Sequence, residues 1–186
     1  MAKSKGYVFE GEIRKSAEVL NIYYQKISVS QKGKIKLKTS PFDGFLVHEG
    51  RFIPLEMKSQ VVYKSFPLSN IKEHQIEGLE KAVGLGCRAF ILFNQRSIVE
   101  KGKRRVSNRC WAIDFSRWNE LIEKLGARKS IPTSMFESGD LLFEVPRIHT
   151  FNSSSNKQEL VWDLTVLLNE NSIITPTTGS LPPLSF

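Results

Sequence analysis

Apolar and polar positions change period several times along the chain, and each change predicts an element. Over residues 7–25, Val8, Phe9, Ile13, Ala17, Leu20 and Tyr24 recur near helical spacing, which predicts one amphipathic helix. Residues 26–38 switch to alternation, with Lys32, Lys34, Lys36 and Lys38 interleaved by Gly33, Ile35 and Leu37. In a strand those four lysines leave from one face. The stretch "SPFDGFLVHEGRFIPLEMKSQ", residues 40–60, predicts two strands around a Glu49-Gly50 turn, the second running from about Arg51 to Ser59.

A connector ending in "SFPL" leads to a helix that begins near Ser69 or Asn70. Asn70 and Glu73 have the spacing of a capping box, and Ile71, Ile76, Leu79 and Val83 form its apolar face. "GLG" at 84–86 ends it. "RAFILF" is a continuous apolar run, as a strand covered on both sides requires. Residues 95–109 read as a basic loop, "CWAIDF" as a further strand, and Ser116 as the cap of a helix through Leu125. Residues 126–150 are loop-rich around a short apolar "LLFEV". This order predicts an α/β fold, with helices against a mixed sheet, in one domain over residues 1–150. Beyond it, "NSSSNK" reads as a linker, "ELVWDLTVLL" as a short helix or strand and "TPTTGSLPPLSF" as disordered, so that 151–186 is expected to be a partly flexible extension.

Composition narrows the class. Of 186 residues, 40% are hydrophobic and 25% charged, as in soluble globular proteins. The formal net charge of +8 makes a polyanionic partner plausible, beside the plainer reading of a generally basic surface. Cys87 and Cys110 stand in no CxxC pair and each opens an apolar run, so buried free thiols are expected rather than a zinc site. "MAKSKGYVFEGEIRKS" lacks the apolar core of a signal peptide, and no segment reaches membrane-spanning length. The expectation is a cytoplasmic protein with no membrane partner.

Three residues in the 40–60 stretch are foreign to a plain core hairpin: Asp43, Glu56 and Lys58. Glu56 and Lys58 are two apart, so a strand points them to the same side, while Leu55 and Met57 point into the opposite layer. The turn folds the preceding strand back and could bring Asp43 to Glu56. Two close carboxylates resist joint ionisation unless a cation joins them, and a hard cation such as Mg²⁺ takes oxygen ligands. Lys58 could then orient or deprotonate the attacking water, or stabilise phosphate charge. That set suits phosphodiester hydrolysis. An isolated E-x-K on a half-exposed strand edge is the commoner situation; the upstream P-x-D shifts the balance towards chemistry.

"PFDGFLVHEGRFIPLEMKSQ" resembles the PD-(D/E)XK nuclease signature. "SFPLSNIKEHQIEGLEKAVGLGCRAFILF" resembles the matching segment of RecU-type Holliday junction resolvases, through S-F-P-L, the following Asn, H-Q-I-E and the apolar strand. "GYVFEGEI" and "RKSIP" are weaker echoes, and the likeness covers roughly residues 6–148. It implies a restriction-endonuclease-like fold, a homodimer and paired nicking of four-way DNA junctions that depends on Mg²⁺, with Mn²⁺ as a substitute. By position it assigns Asp43 and Glu56 to the metal, the Met57 carbonyl as a further ligand, Lys58 to the water and Gln75 to fixing a ligand or a metal-bound water. Glu10 on the first helix is the weakest transfer. Two features depart from the family: the region before the P-D strand is short, only "SVSQKGKIKLK", and Lys5-Gly6 replaces the more usual Arg-Gly.

The DNA-facing candidates are the row Lys32, Lys34, Lys36, Lys38 and the pair Arg104, Arg105. A lysine-protected edge strand accounts for the row about as well. His74 reads as an ordinary helix-surface histidine, and Trp111 and Trp118 as core or dimer contacts. Trp162 either anchors a partner or covers the domain. Two other functions stay open: a PD-(D/E)XK endonuclease for duplex or flap DNA, and a non-catalytic DNA-binding protein.

Overall fold

The computed structural model describes residues 5–27, 40–61, 64–96, 98–100, 103–105, 108–152 and 156–169. The lysine row Lys32, Lys34, Lys36, Lys38 and the terminal "TPTTGSLPPLSF" lie outside these described residues.

Helix α1 (Lys5–Val19) buries Phe9, Ile13 and Ala17, one residue per turn. It is shorter than the periodicity predicts. Asn21 takes φ 56°, the Ile22 N–H donates to the Ala17 carbonyl at 2.8 Å and the Asn21 N–H to Glu18 at 3.2 Å. This is a Schellman stop, and Asn is the side chain after Gly that best tolerates it. The chain leaves as strand β1 (Tyr23–Lys26), so Tyr24 belongs to a strand rather than to the helix.

Strands β2 (Gly44–His48) and β3 (Arg51–Gln60) form the expected hairpin. Glu49 at φ 48° and Gly50 at φ 76° make its two-residue turn, both in the left-handed region that a type I′ turn requires. Strand β4 (Phe66–Pro67) and a 3₁₀ turn at Leu68–Asn70 precede α2 (Glu73–Gly84). Asn70 is therefore not the cap. Gln75 accepts from the Lys72 N–H at 2.9 Å instead, taking the return half of a capping box set two residues later. Gly86, at φ 85°, ends α2 as expected.

Strand β5 (Phe90–Gln95) lies parallel to β3, with α2 as the crossover. Residues expected as a basic loop contain a small ribbon, β6 (Ile98–Glu100) against β7 (Lys103–Arg105), with Arg104 and Arg105 on the second strand. Strand β8 (Arg109–Asp114) follows. Asp114 rather than Ser116 caps the next turn, accepting from the Ser116 N–H and hydroxyl at 3.1 and 2.8 Å. Helix α3 (Trp118–Leu125), β9 (Ser130–Ile131), α4 (Thr133–Glu137), β10 (Phe143–Val145), β11 (Arg147–Asn152) and β12 (Lys157–Trp162) complete the regular elements, with a 3₁₀ turn at Leu164–Leu167.

The main sheet runs β1-β2-β3-β5-β8-β10, antiparallel except between β3 and β5. It is the mixed, helix-flanked sheet the element order predicts. Phe90 and Leu92 enter the core under α1, and Ile91 and Phe93 the core on the other face, which accounts for the unbroken apolar run in β5. Trp111 and Trp118 are buried in the second core of the single chain. Cys110 is a buried free thiol, whereas Cys87 is free and half-buried.

The α1-side core does not end at residue 150, which falls inside β11. Trp162 is buried edge-on to Phe9, with ring centroids 6.3 Å apart, and Leu164, Leu167 and Leu168 join the same core. The Trp162 N–H donates to Ser16 Oγ at 2.9 Å, so the segment after β11 is bonded to α1 as well as packed on it.

Candidate active site

The hairpin carries Asp43, just before β2, to Glu56 in the middle of β3. Backbone hydrogen bonds hold Asp43 on both sides: its N–H donates to Leu55 at 3.1 Å, and its carbonyl accepts from Ile27 at 2.9 Å. Its carboxylate Oδ2 accepts from the Met57 N–H at 2.8 Å. The side chain is thus locked against the strand that carries Glu56 and Lys58.

Glu56 is 0% exposed, an unusual place for a carboxylate. The alternation of β3 sends Leu55 and Met57 under α1 and leaves Glu56 and Lys58 on the α2 side. Glu56 Oε1 is bound twice, by Lys58 Nζ at 2.5 Å and by Gln75 Nε2 at 2.6 Å. Gln75 Oε1 accepts from Lys58 Nζ at 2.9 Å, closing a three-residue ring. Glu56 Oε2 is buried without a hydrogen-bond partner. Burial pushes the Glu56 carboxyl up to about 8, the nearby Asp43 charge adds to the shift, and Lys58 opposes it.

These features fit a hard cation. Glu56 Oε2 is an orphaned buried oxygen, a second carboxylate lies beside it, and the Met57 carbonyl belongs to the same strand. A divalent ion would remove the cost of holding two carboxylates together. Among the described residues no group of three or more His, Cys, Asp and Glu is close enough to hold a metal, so a third ligand would come from the main chain or from water. Glu10 is ion-paired to Lys26. His74 sits half-buried on α2 in no such cluster.

Two glycines that the pattern of the chain did not single out seat this site. A Cβ on Gly78 of α2 would lie 2.5 Å from the Pro41 carbonyl oxygen and 2.6 Å from the Pro41 ring. Only glycine lets the Pro41-Phe42-Asp43 segment touch the helix that also presents Gln75. A Cβ on Gly44 would lie 2.8 Å from both the Gln25 carbonyl oxygen and the Tyr24 hydroxyl. The signal available in the sequence was a glycine inside an otherwise helical pattern, which marks close backbone approach.

Residues 13–150 match the family model RecU, "Recombination protein U". The Holliday junction resolvase RecU of Geobacillus thermodenitrificans is 28% identical over 130 residues, covering 67% of this chain and 52% of that protein. The Holliday junction resolvase RecU of Pediococcus pentosaceus is 30% identical over 125 residues, covering 64% and 57%. The match thus spans little more than half the length of these curated relatives. Among solved structures, Hjc of Archaeoglobus fulgidus, a Holliday junction resolvase, aligns over 81% of this chain and 91% of its own, with a TM-score of 0.37 and 14% identity.

Proposed function

Because the chain belongs to the RecU family, we propose that it is a Holliday junction resolvase, an endonuclease that makes symmetric paired nicks in four-way DNA junctions. The observation that carries the reading is the buried Glu56 carboxylate, bound on one oxygen by Lys58 and Gln75 and bare on the other, with Asp43 beside it.

Mg²⁺, or Mn²⁺ in its place, held by Asp43, Glu56 and the Met57 carbonyl, would polarise the phosphodiester and make water nucleophilic at neutral pH. The protein's part is geometric and electrostatic. Gln75 and Lys58 occupy Glu56 Oε1 and so leave Oε2 as the carboxylate oxygen without a partner. Met57 N–H fixes Asp43 Oδ2. The Lys58 ammonium has three N–H donors. Glu56 and Gln75 take two, and the third can hold the attacking water or a phosphate oxygen. The net charge of +8 favours a nucleic acid as substrate. Two opposed strands of a symmetric junction require two equivalent sites, which a two-fold homodimer supplies.

The test is a labelled immobile four-way junction incubated with and without Mg²⁺, beside linear duplex and flap DNA. Symmetric nicks confined to the junction and dependent on the metal support the reading. Asp43→Asn and Glu56→Gln should abolish nicking while the junction is still bound. Equal cutting of duplex or flap would make the chain a different PD-(D/E)XK endonuclease. Binding with no metal-dependent cleavage would make it a non-catalytic DNA-binding protein.

A further inference from the structure

The part of the sheet formed by β1, β2 and β3 has two faces of different character. Leu46, Ile53 and Leu55 point under α1 and are buried. Alternation sends Tyr23 and Gln25 of β1, Phe45 and Val47 of β2, and Phe52 and Pro54 of β3 to the other face. Strand pairing aligns these six in two rows, Tyr23–Val47–Phe52 and Gln25–Phe45–Pro54. The Phe45 and Phe52 ring centroids are 4.6 Å apart, Tyr23 lies 6.5 Å from Phe45, and Phe42 lies 6.4 Å from Phe52.

This aromatic row stays in water. Tyr23 is 58% exposed and Phe52 39%. Phe52 stands on a strand paired on both sides, so the face of the sheet is bare there and not merely its edge. Leu85, 76% exposed at the end of α2, lines one cavity with Phe52 and extends the patch beyond the sheet. Apolar residues that are exposed together, rather than singly, mark an interaction surface.

Charge decides what fits it. None of the six positions in the two rows is charged, in a chain of net charge +8. The lysine of β1, Lys26, lies on the α1 side and is paired with Glu10. A polyanion needs cations at its contact, so this face does not suit DNA. It does suit a second copy. Two molecules of the same net charge repel, and their contact is least costly where neither carries surplus charge. At the rim, Glu49 and Arg51 of the hairpin turn are paired at 3.0 Å, one charge of each sign. A two-fold axis can set Glu49 of one copy against Arg51 of the other, so the rim is complementary to itself.

We propose that this face joins two copies of the chain. The proposal rests on the nuclease reading, which requires two equivalent sites, and assigns the surface on which they are brought together. One face of β3 carries Phe52, Pro54, Glu56 and Lys58 in order, so Glu56 lies four residues, about 13 Å, from Phe52. Phe42 joins the patch to the neighbouring Asp43. Copies joined here hold both sites close to their common axis.

The experiment is sedimentation velocity of the full-length chain at micromolar concentration without DNA, with circular dichroism to confirm folding. Wild type should be a dimer. Phe52→Glu should raise the dimer Kd about 30-fold or more, the loss of one hot-spot contact. Tyr23→Glu should also weaken the dimer, and it decides the matter if Phe52→Glu does not fold. Phe52→Leu should keep the dimer. So should Phe151→Glu, which changes an equally exposed ring on β11. A four-way junction in a supercoiled plasmid should be cut on both strands in one encounter by wild type, and nicked singly by Phe52→Glu. A dimer that persists in both glutamate variants would overturn this face and leave the homodimer standing. Loss of junction affinity in EDTA with the dimer intact would overturn it in favour of a DNA contact. A monomeric wild type would overturn both the face and the homodimer. A dimer dissociated by Phe52→Glu that cuts no junction would uphold the interface while the nuclease reading fails.

Discussion

Gln75 and Glu56, nineteen residues apart, meet through a 2.6 Å hydrogen bond from Gln75 Nε2 to Glu56 Oε1. The same glutamine accepts from Lys58 and from the Lys72 N–H at the start of its own helix. One side chain thus caps α2 and orients the two residues of β3 best suited to chemistry. Gln75→Ala should lower the single-turnover nicking rate about 10- to 100-fold, the loss of a hydrogen bond to a charged group of roughly 1.5–3 kcal/mol. Junction affinity in EDTA should change little. A nicking rate equal to wild type would remove Gln75 from the site.

Glu56 makes metal-free stability depend on pH. Its carboxyl is raised to about 8 in the folded chain against an ordinary value near 4.5. A raised pKa means the folded state holds a proton that the unfolded chain has released. Its contribution is therefore complete below the unfolded value and is lost as pH rises towards 8, at up to about 1.4 kcal/mol per unit. Urea unfolding in EDTA from pH 5 to 9 should show wild type losing stability relative to Glu56→Gln across that window. Parallel curves for the two proteins would mean that Glu56 ionises normally.

Gly78→Ala separates helix propensity from packing. Alanine should favour an isolated α2 by about 1 kcal/mol. In the folded chain its Cβ would collide with the Pro41 carbonyl, an overpacking cost of about 1–3 kcal/mol. Net destabilisation is expected, together with a loss of nicking larger than that of Gly84→Ala, whose Cβ meets nothing within 4 Å. Equal activity in the two variants would show that the Pro41 contact does not position Asp43.

The segment beyond residue 150 should be indispensable to the fold. Trp162→Ala removes a buried indole packed on Phe9, with an expected cost of about 3–5 kcal/mol in denaturant unfolding. Truncation after Thr150 strips the same core of Leu164 and Leu167 as well, and should leave a chain without a cooperative transition. A truncated chain as stable as the whole would make the extension dispensable.

Much of this was legible as pattern, because local covalent geometry dictates it. Two residues apart on a strand means one face, which put Glu56 and Lys58 together. Two left-handed positions in a row select Glu49-Gly50 for the turn, and an unbroken apolar run requires cover on both sides, as β5 has. Where several local signals competed, choosing among them by spacing failed. Helical periodicity continued through Tyr24, but Asn21 could adopt the left-handed conformation and ended the helix. Asn70 and Ser116 had the side chains of caps, but Gln75 and Asp114 were placed to accept the hydrogen bonds.

The distances between elements had little local signature beyond the glycine inside the α2 pattern. That Met57 holds Asp43, that Gln75 reaches Glu56 and that Trp162 completes the core under α1 follow from how closely layers approach. That approach is set by side-chain volume at the contacts, above all by a missing Cβ at Gly78 and Gly44, and it exists only once the chain has packed.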